Sequence, residues 1–89
     1  MNKVIYLGTT FKCSACKLQE HLLKETLLEY PDIELKVCDY LQLPEWLQTQ
    51  VKLSDFPVTI FIKDGIIKYT VVGTKSVKHL KEILSDIGF

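Results

Sequence analysis

The chain contains no arginine: all eleven basic side chains are lysine, and eleven Asp and Glu residues balance them to a formal net charge of zero. A sequence without Arg lacks the planar guanidinium fork that reads guanine or clamps a phosphate at two points. The lysines are spread along the chain with no basic block, so neither a nucleic-acid surface nor an anionic-membrane surface is indicated. Glycine (four) and proline (three) are sparse. There are no repeats, low-complexity tracts or linkers. No apolar run approaches the length of a membrane span. The run of Val4, Ile5, Tyr6 and Leu7 behind Lys3 ends at Gly8, too short for a secretory signal. The cysteines number three, an odd count that does not suit a disulfide scaffold. Cysteine is therefore expected to serve chemistry in a reducing compartment, by default the cytoplasm. What remains is an ordinary globular composition, 47% apolar and 25% charged. It is expected to form a single domain, 1–89, with one core.

The stretch Phe11, Lys12, Cys13, Ser14, Ala15, Cys16, Lys17 places two thiols three residues apart where a short strand gives way to a helix. Ahead of it lies the β-prone run 4–7, closed by Gly8, Thr9 and Thr10. Behind it Ala15, Leu18, Leu22, Leu23, Leu27 and Leu28 fall at helical spacing and predict a buried stripe. Cys13 is thus expected at a helix N-terminus, where unpaired N–H groups and the helix dipole favour a thiolate. Lys12 adds a neighbouring positive charge. This environment lowers a cysteine pKa and makes the sulfur reactive. Cys16, one turn in, is close enough to close a disulfide and should be the less exposed, so the pair reads as nucleophile and resolving thiol.

The remaining chain alternates strand and helix. Residues 3–8 read as a strand covered on both faces. The first helix is predicted over residues 14–30, stopped by Pro31, with Glu20 and Lys24 paired at i,i+4. Residues 33–38 alternate as a half-buried strand. A connector at 39–43 leads to Pro44, placed at the first position of a short helix over 45–52 with Leu47 and Val51 inward. After a loop at 53–57, residues 58–62 form the strongest strand. Lys63, Asp64 and Gly65 turn it back into an antiparallel strand over 66–72. Gly73 breaks that strand, and Ser76 caps a third helix with Val77, Leu80, Ile83, Leu84 and Ile87 inward. Gly88 ends it. The expected class is α/β, in the order β-α-β-α-β-β-α. It gives a four-stranded mixed sheet flanked by three helices, with a right-handed crossover.

Three features coincide: a Cys-x-x-Cys opening the helix of a βαβ unit, Phe56 and Pro57 just before the next strand, and Gly73 after the hairpin. Together they resemble the thioredoxin/glutaredoxin superfamily in its minimal form, over nearly the whole chain from Val4 to Ile87. The resemblance implies catalytic Cys13 and Cys16. It also implies a cis Pro57 against the thiol pair and a Phe56 whose backbone presents to a substrate chain, with Gly73 on the same side. Lys12 is a candidate on the substrate side through its adjacency to Cys13. Phe56 replaces the Ile, Thr or Val common at its position. Leu7 stands where thioredoxins carry a buried Asp, so Cys16 would lose its proton to water or to the departing thiolate. Ser14 and Ala15 replace the usual dipeptides. The glutathione-side pattern of glutaredoxins, Thr-Val-Pro and an acidic Gly-Gly segment, is absent: the chain has Asp55, Phe56, Pro57 and then Val72, Gly73, Thr74, Lys75. The implied function is a thiol–disulfide oxidoreductase, an electron carrier in cell redox homeostasis that acts on protein disulfides as a cytoplasmic reductant. A glutathione-dependent, glutaredoxin-type reductase is the alternative.

The resemblance implies no metal or organic cofactor. Recycling would require a reductase of the thioredoxin-reductase type or glutathione. The chain is expected to act as a monomer, although an exposed edge strand leaves dimerisation open. Two other classes remain: a metal-binding module using Cys13, Cys16 and Cys38, and an adaptor that binds through the Phe56 and Pro57 groove without turnover. No second Cys-x-x-Cys or paired histidine motif is available for zinc. Cys38 is expected to behave as a small buried apolar side chain, with a regulatory thiol as the other reading. His21 and His79 read as surface residues and Trp46 as helix packing. Tyr6, Phe11, Phe56 and Phe61 read mostly as core, with Phe11 and Phe56 flanking the thiol loop.

Overall fold

A computed structural model describes residues 3–51 and 56–89. Its elements are β1 (Lys3–Thr9), α1 (Ser14–Leu27), β2 (Ile33–Asp39), a 3-10 turn (Tyr40–Gln42), α2 (Glu45–Gln48), β3 (Val58–Lys63), β4 (Ile66–Val72) and α3 (Val77–Asp86). The sheet order is β2-β1-β3-β4. β1 runs parallel to β2 and antiparallel to β3, and β3 is antiparallel to β4. β1 is therefore interior, which accounts for its unbroken apolar run: Ile5 and Leu7 are fully buried and Val4 and Tyr6 half-buried. On one face of the sheet, Ile5, Leu7, Phe61 and Val71 pack with Leu23 of α1 and Leu80, Ile83 and Leu84 of α3. On the other face Val58, Ile60 and Ile62 pack with Leu47 of α2, and Tyr6, Val51, Phe56 and Ile67 close around them.

The punctuation follows local chemistry. Asp64 and Gly65, both at positive φ (54° and 79°), make the two-residue turn that matches the twist of paired strands. Ser76 accepts the His79 N–H at 3.1 Å and caps α3. Glu20 and Lys24 pair at 2.8 Å.

Several expectations change. α1 ends at Leu27 rather than residue 30. Pro31 disfavours helix at Tyr30, whose N–H instead closes a turn onto the Leu27 carbonyl at 2.9 Å. The buried face of α1 is Cys16, Gln19, Leu23 and Thr26. Ala15, Leu18 and Leu28 are exposed, Leu28 at 81%, while Leu22 and Leu27 pack only at the margin of the core. Gln19 and Thr26 tolerate burial because both are hydrogen-bonded, Thr26 to the Leu22 carbonyl at 2.7 Å. The connector after β2 is a 3-10 turn closed by a reciprocal cap between Asp39 and Gln42. Pro44 is the N-cap of α2 rather than its first helical residue, and α2 stops at Gln48. Lys52 of the expected second helix, and Leu53, Ser54 and Asp55 of the loop after it, lie outside the described residues. Trp46 is 48% exposed, and Cys38 is half-buried rather than buried. Among the described residues no helix is long and apolar enough to cross a membrane.

Candidate functional site

β1 delivers the chain through Thr9 and Thr10 to a loop that ends at Cys13, the N-cap of α1. Cys13 is extended (φ −102°, ψ 97°), and its Sγ accepts the Cys16 backbone N–H at 3.1 Å. The sulfur thus fills the role usually taken by a Ser or Asp oxygen, and a thiolate there gains a charge-assisted bond and the positive end of the helix dipole. No acidic residue lies in the first turn of α1 to oppose that charge. Cys13 and Cys16 are disulfide-bonded, with Cα atoms 5.2 Å apart. Cys13 is half-buried and Cys16 only 2% exposed, the asymmetry expected of an attacking and a resolving sulfur.

Beside the disulfide is a groove of about 410 Å³ whose lining includes Phe11, Lys12, Cys13, Cys16, Lys17 and Val37. Lys12 takes a left-handed φ of 56°, and its ammonium lies 5.5 Å from the centroid of the Phe11 ring. Lys12 therefore shares the groove with Cys13 while engaging an aromatic face. Phe11 is not core: it is 82% exposed on the rim.

Phe56, Pro57 and Gly73 form a second group. The Phe56–Pro57 peptide bond is cis, Pro57 is buried, and its carbonyl accepts the Gly73 N–H at 2.8 Å. Gly73 has φ +89°, a conformation that L side chains rarely adopt. The Phe56 ring meets Tyr40 edge to face, with centroids 5.6 Å apart. It also lies over Gly8, where an added Cβ would be 3.5 Å from Phe56 Cε1. The two groups share one end of the sheet. Gly8 pairs with Val58, the residue after Pro57, and the chain runs directly on from Gly8 into the thiol loop. This is the carboxyl end of β1, with β2 and β3 on either side, where open α/β sheets place their sites. Phe56 is not among the residues lining the groove beside the disulfide, so Phe11 and Phe56 do not form one rim.

Leu7 is fully buried and packs with Ile5, Leu23, Phe61, Val71 and Leu80 and Leu84 of α3, and among the described residues no Asp or Glu is buried. Cys38, opposite Gly8 in the β1–β2 register, is a free thiol. Among the described residues no group of three or more His, Cys, Asp or Glu side chains is placed to hold a metal ion, so Cys38 does not join Cys13 and Cys16 in a site. His21 and His79 are exposed, as expected. Sequence reasoning missed two residues that pack against Phe56 at the site, Gly8 and Tyr40. Their signals are contacts made far along the chain, which no local pattern carries.

The fold is that of the thioredoxin-like proteins, and the Cys-x-x-Cys pair stands at the start of its first helix. Desulfothioredoxin from Desulfovibrio vulgaris Hildenborough, in its reduced form, superposes with a TM-score of 0.84 at 20% identity, over 97% of this chain and 82% of that one. Mitochondrial thioredoxin 3 from Saccharomyces cerevisiae gives 0.76 at 21% identity, over 96% and 78%. Thioredoxin O2 from Arabidopsis thaliana gives 0.74 at 23% identity, over 96% and 74%. No protein-family model and no curated protein sequence matches the chain.

Proposed function

We propose that this chain is a thiol–disulfide oxidoreductase that exchanges a Cys13–Cys16 dithiol with the disulfides of protein partners, acting as a cytoplasmic reductant. The observation that carries the reading is the asymmetry of the pair. Cys13 Sγ sits at a helix N-terminus and accepts a backbone N–H, while Cys16 is buried behind it. In the reduced chain the Cys13 thiolate attacks one sulfur of the partner's disulfide, forming a mixed disulfide and releasing the other sulfur as thiolate. The Cys16 thiol then gives up its proton to water or to that thiolate and attacks Cys13 Sγ. The partner leaves as a dithiol and the Cys13–Cys16 disulfide remains, so two electrons pass to the partner. The helix N-terminus favours the thiolate in the first step and makes Cys13 a good leaving group in the second. Cis Pro57 offers no N–H to compete with a substrate strand laid against Phe56 and Pro57. Lys12 contributes positive charge to the groove, and Gly73 holds the Pro57 carbonyl. A reductase of the thioredoxin-reductase type, or glutathione, restores the dithiol.

Trapping tests the order of attack. Reduced Cys16→Ser mixed with a disulfide-bonded test protein should accumulate a covalent adduct through Cys13, released by dithiothreitol and seen by intact mass. Cys13→Ser should give none. Equal trapping by both variants, or by neither, would overturn the assignment.

A further inference from the structure

We propose that Gln19 is a positioning residue: its side-chain amide ties the helix that carries Cys16 to the segment that holds Pro57, and so sets the space in which a substrate strand lies. This rests on the oxidoreductase reading above. Gln19 is fully buried, one turn beyond Cys16 on the same face of α1. Its Oε1 accepts the Lys75 N–H at 2.5 Å and its Nε2 donates to the Lys75 carbonyl at 3.3 Å. Both main-chain groups of one residue are thus taken by one side chain, as a neighbouring strand would take them. Because Lys75 N–H must donate, the amide can sit only one way round.

The other anchors of this segment explain what the tie does. Two residues before Lys75, Gly73 donates its N–H to the Pro57 carbonyl. One residue after it, Ser76 caps α3. The segment therefore spans from the thiol helix to the cis proline, with Gln19 at one end and Pro57 at the other. An apolar side chain of the same size would fill the position without the cost of burying an amide. The amide is accommodated because each of its groups is satisfied, and what it adds over a Leu or Met is a directional link across 56 residues of sequence.

Gln19→Met keeps the volume and removes both bonds, and Gln19→Glu keeps an acceptor for the Lys75 N–H but no donor. Thr26→Val is the control: it removes a buried hydroxyl from the same helix face, one that donates within α1 to the Leu22 carbonyl. Hydrogen exchange at the Gly73 amide reads the tie directly in the oxidised protein, without any activity. It should accelerate about tenfold in Gln19→Met and remain near wild type in Thr26→Val. With a disulfide-bonded protein as substrate, KM should rise about fivefold while kcat stays within about twofold. Reduction of a small aromatic disulfide, which needs no strand pairing, should be unchanged, and Gln19→Glu should fall between wild type and Gln19→Met. Unchanged Gly73 exchange in Gln19→Met overturns the inference, as does an equal KM effect in Thr26→Val. So does a parallel loss with the small disulfide. A wild-type chain with no reductase activity overturns the underlying reading itself, a result distinguishable from an active wild type that is indifferent to Gln19.

Discussion

Gly8 of β1 lies directly across from Val58 of β3, and a Cβ added at Gly8 would stand 2.7 Å from Val58 Cγ1. The same Cβ would meet Leu43 Cδ1 at 3.4 Å and Phe56 Cε1 at 3.5 Å. The close approach is what lets the residues around Pro57 settle against the strand that feeds the thiol loop. Gly8→Ala should therefore destabilise the chain by about 1–3 kcal/mol through overpacking. It should also weaken reduction of protein disulfides by displacing Phe56 and Val58. Denaturant unfolding and steady-state kinetics check the two effects. A variant with wild-type stability would show that the packing here gives way freely.

Lys3 ties the start of the sheet to the turn before β2, its ammonium 3.0 Å from Asp32 Oδ2. The hydrogen bond from Lys3, assisted by one from the Asp32 backbone, holds the Asp32 carboxyl below the usual carboxylate range. A carboxyl lowered on folding favours the native state while it is ionised. That contribution is complete above the ordinary carboxylate pKa and is lost as pH falls through the lowered native value. The expected outcome is a small excess in Tm of wild type over Lys3→Met near neutral pH, closing as pH drops from about 5 toward 2. Thermal unfolding across that range measures it. A gap that widens with acid would contradict the pairing.

The readable part of this chain was the local part. Cys13 and Cys16 stand three apart at a strand-to-helix junction, and Gly65, Gly73, Ser76 and Gly88 mark their breaks because turn and cap chemistry is a property of the residues themselves. The element order, and with it the sheet, followed from that punctuation. What periodicity could not supply was the face of α1. Leu18 and Leu28 look like core yet are exposed, and Gln19 and Thr26 look like surface yet are buried. The reason for Gln19 is Lys75, a partner 56 residues away. The same holds at the site: strand phase reads Phe11 as core, but β1 ends at Thr9 and Phe11 lies in the loop beyond it, exposed on the rim. Phe56 was placed beside it and instead packs on Tyr40 and over Gly8. α2 starts at Glu45 as expected but falls short of its predicted length at the other end, where the chain turns at Thr49 and Gln50.

The central claim is that Cys13 and Cys16 form one redox couple, and a redox titration tests it most directly. The protein would be equilibrated in defined thiol–disulfide buffers, its free thiols alkylated and then counted by mass. Wild type should lose two thiols in a single two-electron transition, leaving Cys38 free throughout, and the transition should vanish in Cys13→Ser and in Cys16→Ser. A midpoint near that of thioredoxin, about −270 mV, is the result expected of a reductant, whereas one near about −180 mV or above would reverse the proposed direction. Thiols that stay reduced at every potential, or a mass that retains a metal ion, would contradict the account outright.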